Sequence, residues 1–133
     1  RSTLDRSSAA SDVYKRQVLA EKLNKPIVLE EFGISRDGND HAVTGFVTLR
    51  DEYYSQIFTH ILDKAVAGSP IAGLNFWAWG GMGRPRKPQA IWNIGDDFTG
   101  DPPHEHQGWY SVYDRDSTTL EIIGQFSKIF NSL

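Results

Sequence analysis

The chain has 133 residues, 14 Lys+Arg against 17 Asp+Glu, a formal net charge of −3 and a hydrophobic share of 39%. One small domain fits that length, the apolar content suffices for a core, and the mild acidity with no basic block argues against nucleic acid. There is no cysteine, which removes disulfides, thiolate metal sites and cysteine nucleophiles, and no apolar run approaches the ~18 residues of a membrane span.

Residues 1–17, RSTLDRSSAASDVYKRQ, are polar and Ser/Ala-rich. The run Asp12–Gln17 reads as a translated sequencing-adapter end, as found at the edge of an assembled DNA fragment; its alternative is a helix lead-in, since Val18–Leu23 continues helically. On the adapter reading the segment is set aside from fold reasoning, and 18–133 is the C-terminal part of a longer protein. Lys25-Pro26 then breaks the helical stub, and Ile27–Phe32 is a short buried strand closed by Gly33. Ser35–Gly45 is a polar loop.

Thr48 and Asp51 offer a capping-box-like start to a helix. Its apolar stripe is Tyr54, Ile57, Phe58, Ile61, Leu62 and Ala65, and Gly68 is placed to end it in the left-handed conformation. Ile71–Trp77 is a second buried strand with almost no charge. Gly80–Ser117 is rich in Gly, Pro and Asp and has little periodicity, which in a compact domain marks either a long functional loop or a misassigned stretch. Thr118 and Glu121 form a second capping box, and Ile122, Ile123, Phe126, Ile129 and Phe130 line a terminal helix.

Strands alternating with helices give an α/β class with parallel pairing. Both long loops follow strand C-terminal ends while the Gly68–Pro70 joint is short, the asymmetry of a (β/α)8 TIM barrel. A whole barrel needs about 250 residues, so this chain reads as its C-terminal fragment, about the last two β/α units. A doubly wound open sheet gives the same local order and is the alternative.

Strict alternation puts Ile27, Leu29 and Glu31 on one strand face and Val28, Glu30 and Phe32 on the other. Glu31 ends its strand just before a glycine, where barrel enzymes carry catalytic residues, and a carboxylate there can act as nucleophile or base if a second carboxyl faces it. The alternative is a plain strand-end charge. All four Trp lie between Phe76 and Tyr113, and aromatic faces stack on the C–H faces of sugars; pinning a long loop is the competing role for Trp92, Trp109 and Tyr110. Asp96, Asp97, Asp101, His104, Glu105 and His106 match neither a calcium loop nor a helical zinc motif, so no metal is expected. No phosphate loop, dinucleotide fold or Gly-x-Ser-x-Gly elbow is present. Arg84, Arg86 and Lys87 read as solvated charge.

Three strings, in order, resemble glycoside hydrolase family 5 of clan A. Lys25–Gly33, KPIVLEEFG, is similar to its seventh strand, whose Glu before Phe-Gly is the nucleophile; that makes Glu31 catalytic and Glu30 its outward neighbour. Gly73–Gly80, GLNFWAWG, resembles the eighth strand, whose terminal Trp floors the −1 sugar subsite, with Trp77 the better match and Trp79 its neighbour. Trp92–His104 and Gln107–Asp114 resemble the C-terminal region of bacterial endo-β-1,4-mannanases.

The resemblance implies a retaining hydrolase of β-mannan or a related polysaccharide, with Trp77, Trp79, Trp92 and Trp109 binding substrate and no cofactor. The acid/base Glu follows an Asn on the fourth strand, and no Asn-Glu pair occurs here, so the missing N-terminal part of the barrel is the implied partner and the fragment alone is expected to be inactive. An extracellular, periplasmic or cell-surface location follows from a polymeric substrate. The alternatives are a β-1,4-glucanase (cellulase) of the same family and a non-catalytic carbohydrate-binding module.

Overall fold

A computed structural model describes residues 15–133; residues 1–14, most of the adapter-like segment, lie outside the described residues. The elements are α1 (residues 15–23), β1 (Ile27–Phe32), α2 (Thr48–Val66), β2 (Ile71–Phe76), β3 (Trp79–Gly81), β4 (Val112–Tyr113) and α3 (Ser117–Phe130). β1 pairs with β2 in parallel, and α2 is the crossover between them. The α/β class and the parallel β/α units expected from the sequence are therefore present.

α2 and α3 cover one face of the strand pair. Phe32, Tyr54, Phe58 and Val112 form the buried centre, with Leu29, Leu74, Phe76, Ile123 and Phe126 packed around it. Phe58 stacks on Phe126 with ring centroids 4.6 Å apart, which locks the two helices together. On the opposite face, Val28, Glu30 and Asn75 are exposed.

Strict alternation fails in β1. The register runs Glu30↔Asn75 and then Phe32↔Phe76, so Glu31 is an extra residue in the ladder. The bulge turns Phe32 into the core beside Leu29, leaving Glu30 on the exposed face with Asn75 rather than sharing a face with Phe32. The expected sharing of one face by Glu30 and Phe32 is thus corrected.

Neither capping box forms. Thr48 is already helical; the amides of Thr48 and Leu49 donate to the Asp37 carboxylate at 3.1 and 2.9 Å, so a residue from the preceding loop caps α2. At α3 the flanking residue is Asp116, whose carboxylate is drawn away by Arg36, and Glu121 instead accepts from Gln125 one turn on. The end of α2 is as expected: Gly68 has φ 83° and the Ser69 amide closes on the Lys64 carbonyl.

The stretch from Gly80 to Ser117 is less irregular than its composition suggests. β3 and β4 pair in parallel at its two ends, and Ile91 bridges His106 within it. Asp101 is its internal anchor, accepting from the Gly108 amide, the Tyr110 amide and the Ser111 hydroxyl. Arg84 pairs with Asp114 and lies over the Tyr113 ring, and Arg86 pairs with Asp96. These two arginines therefore hold the loop, correcting their reading as merely solvated charge.

Candidate functional site

Glu31 and Trp77 stand at the C-terminal ends of the paired strands. Glu31 has φ 55°, in the left-handed region, which costs a non-glycine residue roughly 1–2 kcal/mol and concentrates at functional sites. Its carboxylate is exposed and takes no hydrogen bond from any described side chain. Glu30, one residue earlier, accepts from Asn75 Nδ2 at 3.1 Å. Of the two adjacent carboxylates, one is tied across the sheet and the other is left at the strand tip.

The two strand ends touch through backbone. The Trp77 amide donates to the Phe32 carbonyl at 2.8 Å, directly beyond Glu31. Gly33 makes this approach possible: a Cβ there would lie 2.0 Å from the Trp77 carbonyl oxygen. The Trp77–Ala78 peptide is cis, and the Trp77 side chain is half-buried. Glu31 and Trp77 are thus the pair of expected site residues that the fold brings together.

The other tryptophans occupy separate settings. Trp79 lies in β3, 55% exposed, at the edge of a cleft between β2 and α3. Trp92 stacks on Phe98 at 5.3 Å and donates from Nε1 to the Asp96 carbonyl. Trp109 stacks on Tyr110 at 5.2 Å and packs against His41 and His106. Among the described residues neither Trp92 nor Trp109 makes a ring contact with Trp77.

Several residues that shape the site carry no distinctive sequence signal. His41, in the loop after β1, is buried against His106 and Trp109 of the loop between β3 and β4, so the two loops meet at a pair of imidazoles. Gly108 is required there, because it has φ 90° and a Cβ would lie 2.5 Å from the His41 carbonyl oxygen. Burial lowers the pKa of His41, and the neighbouring His106 lowers it further, against opposing contributions from Asp101, Gln107 and Asp40.

Beneath the loops, Arg36 and Asp116 form a buried bidentate pair with contacts of 3.0 and 2.6 Å. Arg50, also fully buried, donates to the carbonyls of Ile34 and Ser111 at 3.2 and 2.8 Å. Burial and the adjacent Arg36 both pull the Arg50 pKa down. Within the sequence these were ordinary charges in polar stretches, and only the packing makes them a clamp between the two loops. Among the described residues no cluster of three or more His, Asp or Glu side chains is arranged to hold a metal.

The geometry offers an exposed carboxylate, without a hydrogen-bond partner among the described residues, at a strand end whose next residue is tied through backbone to Trp77. That arrangement can supply a nucleophile to a ring stacked on the indole.

A family model described as "GH family 5 beta-mannosidase-like" matches residues 2–133. Among solved structures, an unsubstituted glycoside hydrolase family 5 mannosidase from Rhizomucor miehei is 37% identical, with TM-score 0.75 over 92% of this chain and 32% of that one. A Glu-to-Ala variant of that mannosidase is 36% identical, with TM-score 0.79 over 95% of this chain and 31% of that one. A second such variant, in complex with mannosyl-fructose, is also 36% identical, with TM-score 0.75 over 96% and 32%. The chain therefore spans about a third of the length of the structures it matches. No curated protein matches it.

Proposed function

The chain belongs to glycoside hydrolase family 5, and from that premise we propose that it carries the nucleophile of a retaining hydrolase acting within β-1,4-mannan. The observation that carries this reading is Glu31 itself: an exposed carboxylate on a strained backbone at a strand end, next to Phe32, whose carbonyl accepts from the Trp77 amide. The Glu31 carboxylate attacks the anomeric carbon as the glycosidic C–O bond breaks, and an acid/base carboxyl about 5–5.5 Å away protonates the leaving oxygen. The same group then activates the water that cleaves the glycosyl ester. Trp77 gives the −1 sugar an apolar face to rest on.

The second carboxyl comes from outside these residues, so the 133-residue chain alone has no turnover. Trp79, Trp92 and Trp109 serve as further stacking surfaces for a polymer, and such a substrate places the enzyme outside the cell, in the periplasm or at the cell surface. The test is Glu31→Gln in the full-length enzyme. Turnover of mannan falls at least about a thousand-fold, a loss of ~4 kcal/mol of transition-state stabilisation, while mannan binding persists. Near-normal turnover overturns the assignment.

A second reading, removal of single mannose units from chain ends, is favoured by the "beta-mannosidase-like" description of the family match and the mannosidases among the solved structures. Early products from mannohexaose distinguish the two: mannobiose with mannotetraose, or mannotriose, from internal cleavage, and mannose with mannopentaose from terminal cleavage.

A further inference from the structure

The first two turns of α2 send two fully buried polar side chains, Arg50 and Tyr54, toward the strand ends. Tyr54 is the more informative. Its ring lies between the residue after Glu31 and the residue before Trp77, with centroids 5.8 Å from both Phe32 and Phe76. It also stacks on Phe58 at 5.6 Å and lies 5.9 Å from the Tyr53 ring, so its immediate surroundings are aromatic. The hydroxyl has one described partner, the Trp77 carbonyl at 3.5 Å, and lies 3.6 Å from where a Cβ on Gly33 would be.

A phenylalanine would fill the same space without burying a hydroxyl, which is costly unless the hydroxyl has a use. We propose, resting on the reading of Glu31 as nucleophile, that Tyr54 is a positioning residue: its ring and hydroxyl set the spacing between the Glu31-bearing strand end and the Trp77 floor. Burial raises the Tyr54 pKa, so the phenol remains a protonated donor at every pH where a carboxylate nucleophile works. Arg50 does related work one turn earlier, fixing Ile34 on the exit from β1 to Ser111 beside β4.

The test is Tyr54→Phe in the full-length enzyme, read with 2-deoxy-2-fluoro-β-mannosyl fluoride. With this probe Glu31 forms the ester bond to C1 and fluoride departs without needing protonation, so the inactivation rate reports the approach of the nucleophile alone. The rate constant for inactivation falls about tenfold, as misplacement by a fraction of an ångström can cause. The concentration giving half-maximal inactivation stays within about twofold, and the melting temperature moves by no more than about 2 °C.

An unchanged inactivation rate overturns the proposal. Phe126→Leu is the control for general loosening, since it weakens the same core from α3, through its stack with Phe58. If that variant slows inactivation as much as Tyr54→Phe, the effect belongs to core stability and the proposal also falls. The function reading is checked separately: if unsubstituted enzyme is not inactivated, or Glu31→Gln still is, the nucleophile assignment has failed rather than the role of Tyr54.

Discussion

The difference between Glu30 and Glu31 is one of backbone. Both are exposed carboxylates on one short strand, yet the bulge gives Glu31 a left-handed φ and leaves it unpaired while Glu30 is bonded to Asn75. Position and residue type made Glu31 legible from sequence, because Glu-Phe-Gly after an apolar run marks a strand end. Alternation did not foresee the bulge, since a period-two pattern has no means of signalling one extra residue. Trp77 was legible for the same reason as Glu31, and Trp92 and Trp109 less so, because an aromatic residue in a loop looks alike whether it stacks on a ligand or on Phe98 and Tyr110.

His41 also makes a prediction at this scale. Its folded pKa lies below the ordinary 6.5, so the unfolded chain takes up the proton more readily. The corresponding stability is present above about pH 6.5 and is lost as the pH falls below it. Urea midpoints measured for the full-length enzyme at pH 7.5 and at pH 5.5 therefore fall with acidification, and His41→Gln flattens part of that fall. An identical pH dependence in the variant removes His41 as a contributor.

At the scale of elements, the helices were placed by their apolar stripes and their caps were not. Thr48 and Thr118 stand at the right spacing for capping boxes, but the α2 cap comes from Asp37 across a loop, and Asp116 before α3 is engaged by Arg36. Local pattern cannot see a partner far along the chain. Asp116 is the joint of the whole upper layer: it pairs with Arg36, lies within 3.5 Å of Arg50 and accepts from the Tyr113 amide. Asp116→Ala leaves two buried guanidinium groups facing one another without a shared counter-charge, at a cost of about 3–5 kcal/mol. Denaturant unfolding measures this as a lowered midpoint with an unchanged slope. A shift below about 1 kcal/mol would mean that the pair is not the joint described here.

At the scale of the molecule, much apolar surface is uncovered among the described residues. Phe46, Trp79, Met82, Ile94 and Phe98 are each more than half exposed, and a cleft of about 380 Å³ between β2 and α3 is walled by Leu74, Phe76, Phe126 and Phe130. β1 and β2 pair with each other and with no other described strand. Open edges and apolar patches of this kind drive association, so the 133-residue chain expressed alone aggregates or remains partly unfolded. A soluble monomer with a sharp cooperative melt would contradict that. The β/α order was legible because hydrophobic period and loop asymmetry survive in a partial chain. The long loop was not, because its short strands and ion pairs are set by contacts rather than by composition.

The central claim is that Glu31 forms the covalent intermediate, and mass spectrometry of the trapped enzyme tests it most directly. Full-length enzyme inactivated with 2-deoxy-2-fluoro-β-mannosyl fluoride and digested with pepsin carries one fluoromannosyl group on the peptide spanning Ile27–Gly33. Fragmentation assigns the added mass to Glu31. A label on Glu30, on a peptide outside that strand, or no covalent label in an enzyme that turns over mannan, contradicts the account.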